Sequence, residues 1–107
     1  ASLEGRLDDL IVTKDGRQIG RLDEAFRGSF GIKMSQIVQG EIGKITVRIV
    51  KRHNYSDEDL KILDTELRKR LGEDMVIEYE FVNDIERVGR GKYRFVLSKI
   101  YAAKLYH

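Results

Sequence analysis

KITVRIVKRHNYSDEDLKILDTELRKRLGEDMVIEYEF, Lys44 to Phe81, changes its hydrophobic period twice, and that change decides the fold. Over Lys44 to Lys51 the period is two: Ile45, Val47 and Ile49 share one face, while Lys44, Thr46, Arg48 and Val50 share the other. From Leu60 the period becomes helical, with Leu60, Leu63, Leu67 and Leu71 spaced by three and four. Ser56 supplies an N-cap, Asp59 stands three residues on as the acid of a capping box, and Asp57, Glu58 and Asp59 load the first turn with negative charge. Arg68, Lys69 and Arg70 close the helix before Gly72, so the pattern predicts a helix over Ser56–Leu71. Met75 to Val82 alternates again, with Ile77, Tyr79 and Phe81 on one face and Glu78 and Glu80 on the other. Strand, helix and strand in this order predict a right-handed βαβ crossover.

Working outward, Met34 to Val38 in "MSQIVQ" reads as a strand, and Gly40 and Gly43 bracket a turn before Lys44. Arg21 to Lys33 is patterned more weakly, with a helical turn around Leu22 to Phe26. Further upstream, Asp9–Thr13 and Arg17–Gly20 flank "TKDGRQ", whose Asp15-Gly16 pair is a strong hairpin signal because both positions tolerate positive φ. Downstream, a turn at Gly89 and Gly91 leads to a strand over Tyr93–Leu97, and Ser98–Tyr106 is compatible with a helix. The fold class is therefore α+β: an N-terminal two-stranded hairpin, then a small mixed sheet packed with helices.

Composition narrows the function. A chain of 107 residues holds one domain. It has no cysteine, which excludes disulfides and thiolate metal sites and suits a reducing, cytoplasmic setting. No run approaches the ~18 apolar residues of a membrane span, and no signal-peptide pattern opens the chain. With 20 basic and 18 acidic residues well mixed, the net charge of +2 does not demand a nucleic-acid or membrane partner.

Most of the conspicuous residues have structural explanations. Ile45, Val47, Ile49, Leu60, Leu63, Leu67, Ile77, Tyr79 and Phe81 read as core. His53 precedes the helix with no Ser or Cys nucleophile in evident reach, and His107 is terminal, so neither histidine points to a metal site. The acids of "SDEDLK" are accounted for by capping, and "ELRKR" by a solvated helix end. Two stretches remain. "GRLDDLIV", Gly5 to Val12, sets an arginine and two adjacent acids before a buried strand. "GRGKYR", Gly89 to Arg94, places Lys92 on a glycine-flexed turn, where a compact ammonium can meet phosphate charge.

Together and in this order, these stretches resemble the hinge motif and the lysine motif of adenylate-forming acyl-coenzyme A ligases. With "DGRQIG", "MSQIVQ", Tyr55–Arg87 and "GKYRFVLSK", the chain is most similar to the phenylacetate–coenzyme A ligase branch, including its CapK-like relatives of capsular polysaccharide biosynthesis. The Pro-x-Thr usual before the lysine motif is replaced by "IERVGR", and the Arg-Gly usual after the hinge strand by Lys14-Asp15-Gly16. The resemblance implies that residues 1–107 are one small mobile C-terminal lid domain, starting partway into a larger AMP-forming ligase. Residues 5–20 would form hinge and hairpin, and residues 34–107 the α+β core.

It further implies a carboxylate–coenzyme A ligase that activates a small carboxylic acid as acyl-adenylate and passes it to coenzyme A, the fragment alone being inactive. Lys92 would be catalytic, Asp8 and Asp9 the hinge acids, Arg6 the residue approaching the nucleotide, and Gly16 a position on the coenzyme A path. ATP, Mg2+ and coenzyme A would be held mainly by an N-terminal domain of the same polypeptide, with no metal site in this chain. The residues leave two alternatives open. One is a stand-alone ferredoxin-like RNA- or ligand-binding module using Tyr93, Phe95 and nearby arginines. The other is a homo-oligomerisation domain pairing through strands such as Met34–Val38.

Overall fold

A computed structural model describes residues 10–87, 91 and 93–100. The βαβ unit forms where the sequence places it. Strand β4 (Lys44–Lys51) leads through helix α1 (Asp57–Leu71) to strand β5 (Val76–Phe81), which lies parallel beside β4 with Ile45 opposite Ile77 and Val47 opposite Tyr79. Ser56 caps the helix with extended backbone, and Asp59 Oδ2 returns the bond by accepting the Ser56 N–H at 3.0 Å. At the other end the Gly72 N–H reaches the Arg68 carbonyl at 2.9 Å, and Gly72 leaves the helix at φ +101°.

Strand β3 (Ile32–Glu41) pairs antiparallel with β4, and it is twice the expected length. Gly40, expected to bracket a turn, lies inside β3, because an irregularity between Val38 and Glu41 absorbs it; the turn itself is only Ile42-Gly43. A glycine within a strand commonly marks such a bulge. Strand β6 (Val96–Ser98) runs parallel to β3, with Ile37 opposite Val96, and completes a four-stranded sheet of order β5-β4-β3-β6. It is shorter than expected and starts later. Tyr93 and Arg94 precede the ladder, their side chain and carbonyl engaged elsewhere, and Ser98 is strand rather than the beginning of a helix. The rest of the expected tail helix falls mainly on residues 101–107, outside the described residues.

The N-terminal hairpin is present as expected. Strands β1 (Ile11–Val12) and β2 (Gln18–Ile19) pair antiparallel and form a separate two-stranded sheet. A 3-10 helix over Leu22–Phe26 follows and buries Leu22 and Ala25.

Ile37, Ile45, Val47, Ile49, Val96 and the hairpin's Ile11 meet Leu63, Leu67 and Leu71 in one cluster, with Leu22 and Met75 closing it. Each such side chain, fully buried, is worth about 1.5–3 kcal/mol. Leu60, Ile77 and Tyr79 are packed against the cluster and only partly buried. Phe81, expected in the core, is 45% exposed. It ends the edge strand β5, so only one side of it has a neighbouring strand; there its ring meets Tyr55 edge-on at 5.6 Å and lies 4.3 Å from the Lys51 ammonium.

The pairings divide the sheet into two rims. The starts of β3 and β6 and the ends of β4 and β5 share the first. The ends of β3 and β6 and the starts of β4 and β5 share the second.

Candidate functional site

The segment between β5 and β6, in which the lysine motif falls, joins two strand ends at the first rim, and the described residues show how both of its stems are held. On the incoming side Ile85 is buried. Arg87 Nη1 donates to Asp84 Oδ1 at 2.8 Å and to the Ile85 carbonyl, while its guanidinium carbon sits 5.9 Å from the Tyr93 ring centre. The Arg87 hydrogen bond, more than any other influence, holds the Asp84 carboxyl below the usual carboxylate range.

The outgoing stem is held by a row of side chains that runs across β5, β4 and β3 to the backbone ahead of β6. Glu80 on β5 accepts from Arg48 Nε on β4 at 3.1 Å. Arg48 Nη1 donates to Gln36 Oε1 on β3 at 3.2 Å, and Gln36 Nε2 donates to the Arg94 carbonyl leading into β6 at 2.8 Å. One residue on, the Phe95 carbonyl accepts the Ile37 N–H at 2.7 Å, and the Phe95 ring packs edge-on against Phe26 at 5.2 Å. Between these stems Gly91 takes φ +75°, and a side chain there would meet nothing within 4 Å. The loop is therefore rigid at its feet and open at Gly91. Lys92 lies outside the described residues.

The hairpin docks on the second rim. Its turn is self-bracing: the Thr13 hydroxyl donates to the Asp15 carboxylate and accepts the Arg17 N–H at 3.0 Å, and Arg17 Nε reaches Asp15 at 3.0 and 3.1 Å. The Thr13 hydroxyl first, and Arg17 next, keep the Asp15 carboxyl low. Gly16 takes φ +90° in the turn with open space about its Cα, so the hairpin end presents bare backbone. The hairpin meets the sheet through Gly43, whose N–H donates to the Val12 carbonyl at 3.2 Å and whose carbonyl accepts the Val76 N–H at 3.0 Å. Arg6, Asp8 and Asp9 lie outside the described residues. Of the predicted site positions only Gly16 is described; it belongs to the hairpin on the second rim, whereas Gly91, beside Lys92, belongs to the first.

Elsewhere Tyr79 and α1 border an open groove lined by Asp57, Leu60, Lys61, Asp64, Thr65 and Tyr79. The Tyr79 hydroxyl donates to Asp64 Oδ1 at 2.6 Å, and Arg68 spans from Asp64 to the carbonyls of Glu73 and Met75. Burial first, and then this bond to a carboxylate, push the Tyr79 hydroxyl well above its usual titration range. These contacts fasten the edge strand to the helix. Among the described residues, no three His, Cys, Asp or Glu side chains converge as a metal site would require, and no helix is long and apolar enough to cross a membrane.

Gln36, which holds the Arg94 carbonyl, was passed over by sequence reasoning, and so was Gln39, which lies fully buried beside the hairpin. Their one signal was that "MSQIVQ" interrupts an apolar strand twice with the same amide side chain.

A two-stranded hairpin at one rim and a segment bearing Gly91 between β5 and β6 at the other mark the two ends of the sheet in this small α+β domain. The chain belongs to the CapK C-terminal domain family, whose profile matches residues 11–99. Among curated proteins, none matches the chain.

Proposed function

We propose that this chain is the C-terminal domain of an AMP-forming carboxylate–coenzyme A ligase of the phenylacetate–coenzyme A ligase type, with Lys92 as its catalytic cation. The observation that carries the reading is the row Glu80–Arg48–Gln36–Arg94 carbonyl, which immobilises the foot of the lysine loop from across the sheet while Gly91 stands in open space. A side chain needed only for packing requires no such platform. A cation delivered to a pocket on another domain does, because electrostatic help depends on placement fixed before charge develops.

In this reading the carboxylate attacks the α-phosphate of ATP, forming acyl-adenylate and releasing pyrophosphate. Lys92 offsets the charge that builds on the phosphate oxygens, with Arg6 approaching the nucleotide. The domain then turns about Asp8 and Asp9, the lysine rim withdraws, and the hairpin rim with Gly16 borders the path of the coenzyme A thiol, which displaces AMP to give the thioester. That the hairpin bearing Gly16 and the segment bearing Gly91 stand at opposite rims suits such alternation. In the same reading, Mg2+, ATP and the acid are bound by a preceding domain of the same polypeptide. An RNA-binding alternative draws no support from the aromatic residues it needs, since Tyr93 lies by Arg87 and Phe95 packs on Phe26.

The test is Lys92→Ala in the protein joined to its nucleotide-binding domain. Acid-dependent exchange of pyrophosphate into ATP should fall by about 10²–10³-fold or more, the usual effect of deleting one preorganised charge-stabilising group. Thioester formation from supplied acyl-adenylate should persist. Equal loss of both half-reactions refutes the assignment.

A further inference from the structure

Gln39 lies on β3 and is completely buried, an expensive place for a primary amide unless every polar atom is matched. Its side chain does the work of an extra strand. Oε1 accepts the Val12 N–H at 2.8 Å and Nε2 donates to the Val12 carbonyl at 2.8 Å, so one amide satisfies both backbone groups of a buried residue. Its own carbonyl accepts the Lys99 N–H at 2.8 Å just past β6. Gln39 thus joins the hairpin, β3 and the end of β6 at a single point on the second rim.

The hairpin needs this. It contributes only two residues to each strand, and an isolated two-stranded ribbon is marginal in water. Among the described residues, the backbone hydrogen bond joining the hairpin to the sheet is the one from Gly43 to the Val12 carbonyl. Ile11 inserts into the core, which fixes depth but not orientation, because apolar contact is non-directional. The paired bonds at Gln39 supply the direction.

We infer that Gln39 is a latch that welds the Ile11–Ile19 hairpin to the sheet, so that hairpin and sheet turn as one body against any preceding domain. The latch stands independently of the ligase reading; only its effect on turnover rests on that reading. No shorter or singly functional side chain serves. Asparagine lacks reach, and an ionised glutamate accepts the Val12 N–H but sets a lone pair against its carbonyl.

Amide hydrogen exchange on this chain, read residue by residue by NMR, tests the latch. In the wild type the Val12 amide should be protected comparably to Val47 in the sheet. Gln39→Met fills similar volume without the bonds. It should lower protection at Val12 and Thr13 by about tenfold or more, while Val47 and Ile49 stay within about threefold. Gln39→Glu should behave like Gln39→Met when ionised and regain hairpin protection, relative to the sheet, as acid protonates the carboxyl and restores a donor. Should Gln39→Met fail to fold, the acid-dependent recovery of Gln39→Glu carries the test alone. Unchanged hairpin protection, equal loss throughout the sheet, or no recovery in acid overturns the latch. In the longer ligase, Gln39→Met should slow the two half-reactions by unequal factors. Absence of ligase activity in the wild type would overturn the ligase reading and leave the exchange result standing.

Discussion

Gln36→Met removes the central link of the row that pins the lysine loop while keeping the length and most of the volume of the side chain. Two bonds are lost, 2.8 Å to the Arg94 carbonyl and 3.2 Å from Arg48. The first is neutral and worth about 1 kcal/mol net, rising toward 1–3 kcal/mol if the carbonyl is left without a partner. The second counts for less than a charged bond usually would, because the Arg48 side chain is 41% exposed, keeps Glu80, and can turn to water. Burying a thioether in place of an amide at a position only 5% exposed recovers part of the loss. The balance is a destabilisation of about 1–2 kcal/mol, or a fall in Tm of roughly 5–10 °C for a domain of this size. Thermal unfolding followed by circular dichroism on this chain measures it. In the ligase proposed above, the same substitution should lower adenylation at least about tenfold, since a slightly misplaced cation is costly, and change transfer from supplied acyl-adenylate far less. A loss below about 0.5 kcal/mol, or equal slowing of both half-reactions, would refute the platform.

Gly31→Ala should also destabilise, by about 2–4 kcal/mol: a Cβ there would overlap the Asp59 carboxylate and come within 2.7 Å of the Tyr55 Cα, so the capping of α1 and the loop ahead of it must both give way. Chemical denaturation would show it, and a variant within about 0.5 kcal/mol of wild type would mean the loop is freer than its packing implies. Tyr79→Phe, which deletes the bond to Asp64, should cost about 1–2 kcal/mol near neutral pH. The folded state raises the titration of Tyr79 above that of an unfolded tyrosine, near 10, so its contribution is intact below about pH 10 and is lost as pH climbs beyond it. Wild type should therefore shed stability above that pH faster than Tyr79→Phe, and parallel pH profiles would contradict the shift.

The helix and the strands beside it were legible because each rests on local chemistry. Leu63, Leu67 and Leu71 need one face, Ser56 and Asp59 need each other, and Asp15-Gly16 needs a turn; all stand within a few residues of their partners. What misled was equally local. Gly40 resembles a turn residue until the ladder shows a bulge, and Phe81 alternates like a core residue until the sheet order puts it on an edge strand. The site was legible only as motif. Lys92, Asp8, Asp9 and Arg6 come from resemblance, whereas the row that steadies the lysine loop joins positions 36, 48, 80 and 94, and no spacing in the chain announces it.

By itself, the order of residues determined an α+β domain with a capped central helix, an N-terminal hairpin and a glycine-bearing loop near its end, because propensity, capping and hydrophobic period act over one or two turns of chain. Tertiary structure alone decided that the hairpin and the stems of the segment between β5 and β6 stand at opposite rims, with Gln36 bonded to the Arg94 carbonyl and Gln39 to Val12. A buried amide is stable only where its distant partners converge, and convergence is a property of the folded sheet rather than of any segment.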